Sequence, residues 1–189
     1  YEEIAFLKKA RSTQMGAIVA YTGRHTARAA SDKFIVKEPT TEDKIWWGQY
    51  NRPFSADKFN DLYIRMQGFL QGRDLFVTDC YAGADPNYRI PIRIITEYAW
   101  HAVFARNMFI MPKTNEEYRR HIPEYTVMAI PSFKGVPQID GTNVNTFIAL
   151  NFGQKLCLIG NTAYAGEIKK SIFTILNYVL PLDGVMSMH

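Results

Sequence analysis

The 189-residue sequence has little of what defines several protein classes. It contains only two cysteines, Cys80 and Cys157. Each lies in an apolar, strand-like run, which predicts two reduced, buried thiols rather than a disulfide framework. No apolar run reaches the length of a membrane span, and the N-terminus lacks the charged-then-apolar pattern of a secretory signal. These absences predict a cytoplasmic protein with no membrane partner.

Compact metal and nucleotide motifs are also missing. Neither HExxH nor a pair of CxxC motifs occurs, so no self-contained zinc site is indicated. The loop at 160–171 resembles a phosphate-binding P-loop only superficially, because five residues separate its glycines and Glu167 follows the second one in place of lysine. His101, on a helical face, is interpreted as structural. The four histidines are scattered: His25, His101, His121 and His189.

Charge is sparse and evenly spread. The net charge is +4 with 21% charged residues, and no block of lysine or arginine occurs. This balance suits small anions and is weak support for a nucleic-acid surface, so no nucleic-acid partner is expected. Hydrophobic residues make up 47% and aromatic residues 14%, which is enough to build the core of a single domain.

Hydrophobic periodicity predicts an α/β layered domain with a mixed β-sheet flanked by helices. A hairpin is expected around Gly153, and its strands cannot be parallel. Ser55 is expected to cap one helix, and Thr114 with Glu117 to form a capping box. Strands are predicted at 17–21, 33–37, 74–80, 89–95, 125–130, 146–152 and 156–159, and helices at 56–72, 96–112, 114–121 and 168–180.

Both ends of the chain have the character of cut ends. Residue 1 is Tyr rather than Met, and 1–10 already runs as an amphipathic helix with no capping residue before it. At the other end, 185–189 alternates like a strand after a turn at 181–184, with no turn signal to stop it. We therefore expect the chain to be truncated at both ends.

The stretch 155–178 combines a buried-strand pattern, a glycine-bearing loop and a helix that opens with adjacent lysines. Lys169 and Lys170 lie in the first turn, where the helix dipole disfavours each positive charge by about 0.3–1 kcal/mol. A bound phosphate or carboxylate would remove that penalty, which predicts an anion site. The alternative is that Glu167 pairs with Lys170 at i,i+3 and both lysines extend into solvent.

A second basic feature is the polar loop at 22–31, which holds Arg24, His25 and Arg28. Two arginines on an irregular loop are able to clamp a carboxylate bidentately. The alternative is a pair of solvated arginines. From spacing alone, the sequence supports an anion near Lys169 and Lys170, with these arginines as candidate partners.

Three segments carry a resemblance to a known family: TGRHTARAASDKFIV at 22–36, LFVTDCYAGADPNYRIPIRIITEYAWHAVFARNMFI at 75–110, and NTAYAGEIKKSIFTILNYVLPLDGVMSMH at 161–189. Together they resemble ATP-dependent phosphoenolpyruvate carboxykinase over nearly the whole chain. The resemblance implies that 1–189 is the N-terminal, substrate-binding domain of that fold type. It also implies that the nucleotide-binding domain, with its true P-loop, is absent, so this chain alone is expected to be inactive.

The family converts oxaloacetate and ATP into phosphoenolpyruvate, CO2 and ADP in gluconeogenesis. The resemblance implies Mn2+ at the catalytic site and Mg2+ with ATP. It also implies a role for particular residues of this chain. Arg28 would hold a substrate carboxylate, Tyr164 and the Gly166 amide would position the substrate, and Lys169 would contact substrate and phosphate. The implied metal ligands are Lys170 and His189.

The sequence departs from the family pattern in both loops. Where the family has Gly-Arg-Ser-Pro, Arg28 is flanked by alanines, and where it has Tyr-Gly-Gly the second residue is Ala165. Such an alanine costs on the order of 1 kcal/mol if its position needs φ > 0 or a close backbone approach. Two functions therefore stay open, an active carboxykinase and a binding-only relative that keeps the fold and the anion site. The alanines that flank Arg28 are Ala27, Ala29 and Ala30.

Overall fold

The computed structural model describes residues 10–187, which form an α/β domain. The helices are α1 (Ala56–Phe69), α2 (Ala99–Met108), α3 (Asn115–Arg120), α4 (Pro137–Asp140) and α5 (Gly166–Leu182). The strands are β1 (Ala10–Ser12), β2 (Ile18–Ala20), β3 (Lys33–Lys37), β4 (Arg52–Ser55), β5 (Phe76–Ala82), β6 (Ile90–Thr96), β7 (Tyr125–Ile130), β8 (Phe147–Asn151) and β9 (Leu156–Gly160).

Within the described range, seven strands form one mixed sheet in the order β4-β3-β8-β9-β7-β6-β5. β8 and β9 are antiparallel neighbours, as are β5 and β6. The pairs β3–β4, β3–β8, β6–β7 and β7–β9 are parallel. The predicted mixed sheet and the predicted hairpin around Gly153 are both confirmed.

Alternate residues of the central strands feed two separate cores, one on each face of the sheet. On β9, Cys157 and Ile159 pack on the side of α5, and Leu156 and Leu158 pack on the side of α1. This alternation follows from the two-residue period of side chains along a strand. The sheet is therefore a central layer with helices on both faces, as predicted for an α/β layered domain.

The helix signals in the sequence are largely confirmed. α1 follows Ser55 and buries Phe59, Leu62 and Met66, although the Ser55 side chain makes no capping hydrogen bond. Thr114 does cap α3, because its hydroxyl accepts a hydrogen bond from the Glu117 N–H at 3.1 Å. The longest of these helices, α5, begins at Gly166, slightly before the predicted start at 168.

Other expectations were wrong or incomplete. The strand at 17–21 is present as β2, but it is not buried, because it pairs only with β1 in a separate two-stranded sheet and leaves Ile18 half exposed. No strand was predicted within 45–54, yet the end of this segment forms β4 at the edge of the large sheet, where Pro53 is tolerated. Residues 185–187 form no strand. The predicted helix at 1–10 lies almost wholly outside the described residues.

None of the helices in the described part of the chain combines the length and the apolar character that a membrane span requires.

Candidate active site

The sheet topology brings the two predicted anion-binding loops to the same end of their strands. β8 begins where the antiparallel β9 ends, with Phe147 opposite Gly160. β3 is parallel to β8 and begins beside it, with Lys33 opposite Ile148. The loop before β3 and the loop after β9 therefore lie at the same end of these strands. These loops carry Arg28 and the start of α5, although more than 130 residues separate them in sequence.

A cavity of about 410 Å³ lies between the loop before β3 and the side of α5. Its charged lining residues are four cations and one carboxylate. The exposed aromatic side chain of Trp46 stands at its border together with Tyr50. The excess of positive charge suits a small anion. The charged residues are Arg28, Lys33, Lys44, Glu167 and Lys170.

Arg28 and Lys170, predicted from distant parts of the sequence, thus line the same cavity. Lys170 is half-buried, and its ammonium lies 4.3 Å from the centre of the Phe173 ring one turn along α5. This cation–π contact holds the side chain along the helix surface and so limits its freedom. Arg28 is exposed on its loop and contributes to the lining of the same cavity.

Glu167 connects the two walls. Its side chain is buried, and its Oε1 accepts a hydrogen bond of 2.6 Å from the backbone N–H of Ala29. Burial raises the pKa of Glu167, while the Ala29 N–H and the charges of Arg28 and Lys33 oppose that rise. The alternative in which Glu167 pairs with Lys170 is therefore wrong, because the carboxylate turns inward to the Arg28 loop.

Lys33 is a site residue that the sequence did not single out. Its ammonium donates a hydrogen bond to Asn51 Oδ1 at 3.1 Å, and it lines the cavity beside Arg28. Burial lowers the pKa of Lys33, and the positive charge of Arg28 lowers it further. Lysine at the start of a strand carries no local signal of a site, so only the cavity reveals it.

The first turn of α5 places the remaining predicted residues away from this cavity's lining. Lys169 is exposed, and it does not line the cavity that Lys170 faces. Tyr164 is half-buried, and its ring lies directly over the backbone of Gly166. A phosphate or substrate that contacted both Lys169 and Lys170 would therefore have to extend across the first turn of α5.

The loop before Tyr164 is fixed by His101. The ring of this buried histidine bonds the Ala163 carbonyl through Nε2 at 2.8 Å, which assigns the proton to Nε2 because a carbonyl only accepts. Burial lowers the pKa of His101 to about 4. The structural interpretation of His101 is thus supported, and its contact explains how α2 supports the start of α5.

The two arginines of the loop before β3 do not share one cavity. Arg24 and His25 line a second cavity of about 510 Å³, and Arg28 is not among its lining residues. His25 is fixed there by a bond of 2.9 Å between its Nε2 and Thr146 Oγ1. Arg24 and Arg28 are therefore not placed to bind one carboxylate together.

The metal site predicted from the resemblance is only half within the described residues. Lys170 lines the cavity, whereas His189 lies outside the range 10–187. Within that range, no three side chains of His, Cys, Asp or Glu come together in a way that could hold a metal ion. The described residues thus do not supply a complete set of metal ligands, and Lys170 is the only one of the two predicted ligands among them.

The alanines at family glycine positions do not strain the backbone. Ala165 has φ −60° and ψ −22°, an ordinary right-handed conformation. Among the described non-glycine residues, only Lys155 and Asn161 have positive φ, so Ala27 does not require glycine's conformational freedom. Gly166 is different, since a Cβ there would lie 2.4 Å from Cε1 of Tyr164.

Comparison with known proteins supports the family resemblance that the sequence indicated. The sequence profile described as phosphoenolpyruvate carboxykinase matches residues 1–189. The phosphoenolpyruvate carboxykinase (ATP) of Geobacter sp. (strain M21) is 55% identical over 189 residues, and that of Geotalea uraniireducens (strain Rf4) is 54% identical over 190 residues. In both cases the match covers 100% of this chain and 36% of the relative.

A more distant relative, the phosphoenolpyruvate carboxykinase (ATP) of Thermus thermophilus, is 48% identical over 177 residues, which cover 92% of this chain and 34% of the relative. The chain thus spans about a third of the length of the relatives it matches. The mixed sheet flanked by helices is consistent with the N-terminal domain type of these enzymes. The profile match over the whole sequence and the high identities show that the chain belongs to the ATP-dependent phosphoenolpyruvate carboxykinase family.

Proposed function

We propose that this protein is an ATP-dependent phosphoenolpyruvate carboxykinase, and that residues 1–189 supply its oxaloacetate site and part of its metal site. The reaction would convert oxaloacetate and ATP into phosphoenolpyruvate, CO2 and ADP, as a cytoplasmic step of gluconeogenesis. The single observation that carries the proposal is that Arg28 and Lys170, which are distant in sequence, line one cavity. Both are residues at which the sequence matches the family's site.

The chemistry explains why a cationic cavity is needed. Cleavage of the bond between C3 of oxaloacetate and its terminal carboxylate releases CO2 and leaves the electron pair as an enolate. The enolate oxygen then attacks the γ-phosphorus of ATP, and the bond to ADP breaks. Negative charge develops at the enolate and at the phosphoryl oxygens, so fixed positive groups stabilise both transition states.

Each residue would act through its own geometry. Arg28 would hold a substrate carboxylate, because a guanidinium binds a carboxylate through two parallel hydrogen bonds. Tyr164 and the Gly166 amide would position the substrate at the start of α5, where the positive end of the helix dipole favours an anion. Lys169 is exposed and therefore accessible to a phosphate that approaches from outside the cavity.

The metal part of the proposal concerns Lys170 and His189 as ligands of Mn2+, with Mg2+ accompanying ATP. A bound divalent ion would supply Lewis-acid stabilisation of negative charge on oxygen. The lining of the cavity offers an amine from Lys170 but no second ligand of the predicted pair. We therefore assign no step of the chemistry to a metal, and the roles above belong to the side chains and amides of the chain.

The test is enzymatic and uses the full-length protein, since no GxxxxGK[ST] segment occurs in residues 1–189 and the chain alone is expected to be inactive. We expect oxaloacetate-dependent, Mn2+-stimulated formation of phosphoenolpyruvate and ADP. Lys170→Ala should abolish turnover, whereas Lys37→Ala, a surface lysine outside the cavity, should leave it unchanged. Binding of oxaloacetate without turnover in the wild-type protein would instead identify a binding-only relative.

A further inference from the structure

The buried carboxylate of Glu167 has no part in the chemistry proposed above. It lies in the first turn of α5, and its side chain is 5% exposed. An acidic group is rarely buried in this way unless a partner compensates for the lost hydration. The partner here is the Ala29 N–H, at 2.6 Å and 138 positions away in sequence.

The position of this bond is informative because Ala29 directly follows Arg28. Ala29 precedes a short 3-10 helix at Ala30–Asp32 that leads into β3, and Arg28 projects from the exposed part of the loop before it. The hydrogen bond that the Ala29 N–H donates to the Glu167 side chain fixes the backbone next to Arg28 relative to α5. The same helix carries Lys170 one turn later, so this contact links the backbone next to Arg28 to the helix that carries Lys170, while Arg52 and Asn143 hold the neighbouring Ser31 carbonyl.

The electrostatic setting favours a carboxylate at this point. Arg28, Lys33 and Lys170 would repel one another across the cavity, and Glu167 is the one acidic residue among those described that line it. A carboxylate placed beneath them lowers that repulsion before any ligand arrives. The hydrogen bond and the charge are separable contributions, since glutamine retains the first and removes the second.

We propose that Glu167 is a positioning residue that holds the Arg28 loop against α5, so that Arg28 and Lys170 face the same substrate. The inference rests on the proposed function, because it assumes that Arg28 binds a carboxylate of oxaloacetate. It adds a residue that acts through Arg28 and does not itself touch the substrate.

The kinetic test compares Glu167→Ala and Glu167→Gln in the full-length enzyme. Because Arg28 would be misplaced, Glu167→Ala should lower kcat/KM for oxaloacetate by about 10- to 100-fold, mainly through KM. Glu167→Gln should stay within about threefold of wild type, since its amide oxygen still accepts the Ala29 N–H. A glutamine variant as impaired as the alanine variant would overturn positioning by this hydrogen bond.

A double-variant cycle shows whether Glu167 acts through Arg28. If it does, adding Glu167→Ala to Arg28→Ala should cause little further loss in kcat/KM, because the group being positioned is already gone. Losses that multiply in the double variant would show that Glu167 acts independently, and the inference would fail.

A matched control separates positioning from simple destabilisation. Asp140 is also buried and accepts a backbone N–H, from Val136 at 2.5 Å, but it packs with α1 on the opposite face of the sheet. Asp140→Asn should lower the melting temperature without changing KM. If a folded Glu167→Ala protein behaved in the same way, with stability lost and KM unchanged, Glu167 would be a structural residue only.

Amide hydrogen exchange gives a readout that does not depend on turnover. The Ala29 amide should be protected in wild type and in Glu167→Gln, and should exchange faster in Glu167→Ala. If the full-length protein proved inactive, the proposed function would fail, but this measurement would still report on the hydrogen bond between Ala29 and Glu167. Equal protection of Ala29 in all three proteins would overturn the inference in either case.

Discussion

The ring of Tyr164 lies so close to the backbone of Gly166 that a Cβ at Gly166 would fall within 2.4 Å of Cε1 and 2.9 Å of the phenolic oxygen. Glycine at this position is therefore required by the packing of a side chain and not by backbone conformation. The contact sets the direction of Tyr164 at the N-terminus of α5, where the substrate is proposed to bind.

Replacement of Gly166 by alanine should displace the Tyr164 ring. The ring is half-buried and is able to swing outward, so we expect a loss of stability of only about 1 kcal/mol. The effect on catalysis should be larger, with kcat/KM for oxaloacetate lowered about tenfold or more because a positioning group has moved. Thermal unfolding and steady-state kinetics of the full-length Gly166→Ala enzyme measure the two effects separately.

Gly68 provides the matched control, since it lies in α1 and an added Cβ there meets open space. Gly68→Ala should raise the free energy of unfolding by about 0.4–1 kcal/mol and leave kinetics unchanged. Unchanged kinetics in Gly166→Ala would show that the orientation of Tyr164 does not matter for the reaction.

His101 should make stability depend on pH in a defined window. Burial lowers its pKa from 6.5 to about 4, so the folded protein resists a proton that the unfolded chain accepts. Its contribution to stability is fully present above about pH 6.5 and is lost as the pH falls to about 4. The loss amounts to about 3 kcal/mol at the lower limit.

The measurement is denaturant unfolding of wild type and His101→Gln between pH 7 and pH 4. Glutamine can still donate to the Ala163 carbonyl but does not titrate, so its stability should fall less steeply in this window. Parallel pH profiles for the two proteins would contradict the assignment of the slope to His101.

Asp79 and Arg93 form a bidentate pair across β5 and β6, with Nε–Oδ1 at 2.7 Å and Nη2–Oδ2 at 2.8 Å. The hydrogen bonds from Arg93 hold the pKa of Asp79 below its ordinary value. The stability from this pair is therefore present above the unfolded pKa of about 3.9 and is lost as the pH falls through the lower folded value.

We expect Asp79→Asn to cost about 1 kcal/mol at pH 7, because Arg93 is partly exposed and solvent weakens the pair. The cost should shrink as the pH falls below about 3.9. Glu116→Gln, which removes a largely exposed i,i+4 partner of Arg120, should change stability by less than about 0.5 kcal/mol. An Asp79→Asn cost that did not change with pH would refute the linkage. Urea unfolding at a series of pH values provides these numbers.

Local pattern was sufficient for much of the fold. β7 coincides with the predicted 125–130 because its apolar run is bounded by clear breaks, and the β8–β9 hairpin follows from two apolar runs separated by a short segment with Gly153. What local pattern could not supply was pairing at a distance. β4 was missed because its edge position depends on β3, and β2 was predicted as buried because an apolar run does not reveal which sheet it joins.

The residues of the candidate site likewise divide into those that the sequence indicated and those whose roles depend on contacts between distant parts of the chain. The resemblance assigned Arg28 and Lys170, and the structure places both at one cavity. The i,i+3 rule paired Glu167 with Lys170, yet the carboxylate bonds Ala29, a contact that no local spacing encodes. Lys33 was passed over for the same reason, since its role depends on Asn51 and Arg28.

The alanines that replace family glycines should not limit activity. Ala165 adopts φ −60°, which any residue tolerates, and no described residue near Arg28 has a positive φ apart from Gly23. Restoring glycine therefore relieves no strain. It increases the freedom of the unfolded chain and, at the buried Ala165, removes a packed methyl group.

We expect Ala165→Gly to lower the free energy of unfolding by about 1 kcal/mol and Ala27→Gly by less, because Ala27 is exposed. Neither change should raise kcat/KM for oxaloacetate in the full-length enzyme. A rise of more than about threefold in either variant would mean that the loop adopts a left-handed or closer backbone when substrate is bound, and that the alanine opposes it. Comparing the two variants locates such an effect, since Ala27→Gly acts on the Arg28 wall of the cavity and Ala165→Gly acts on the start of α5.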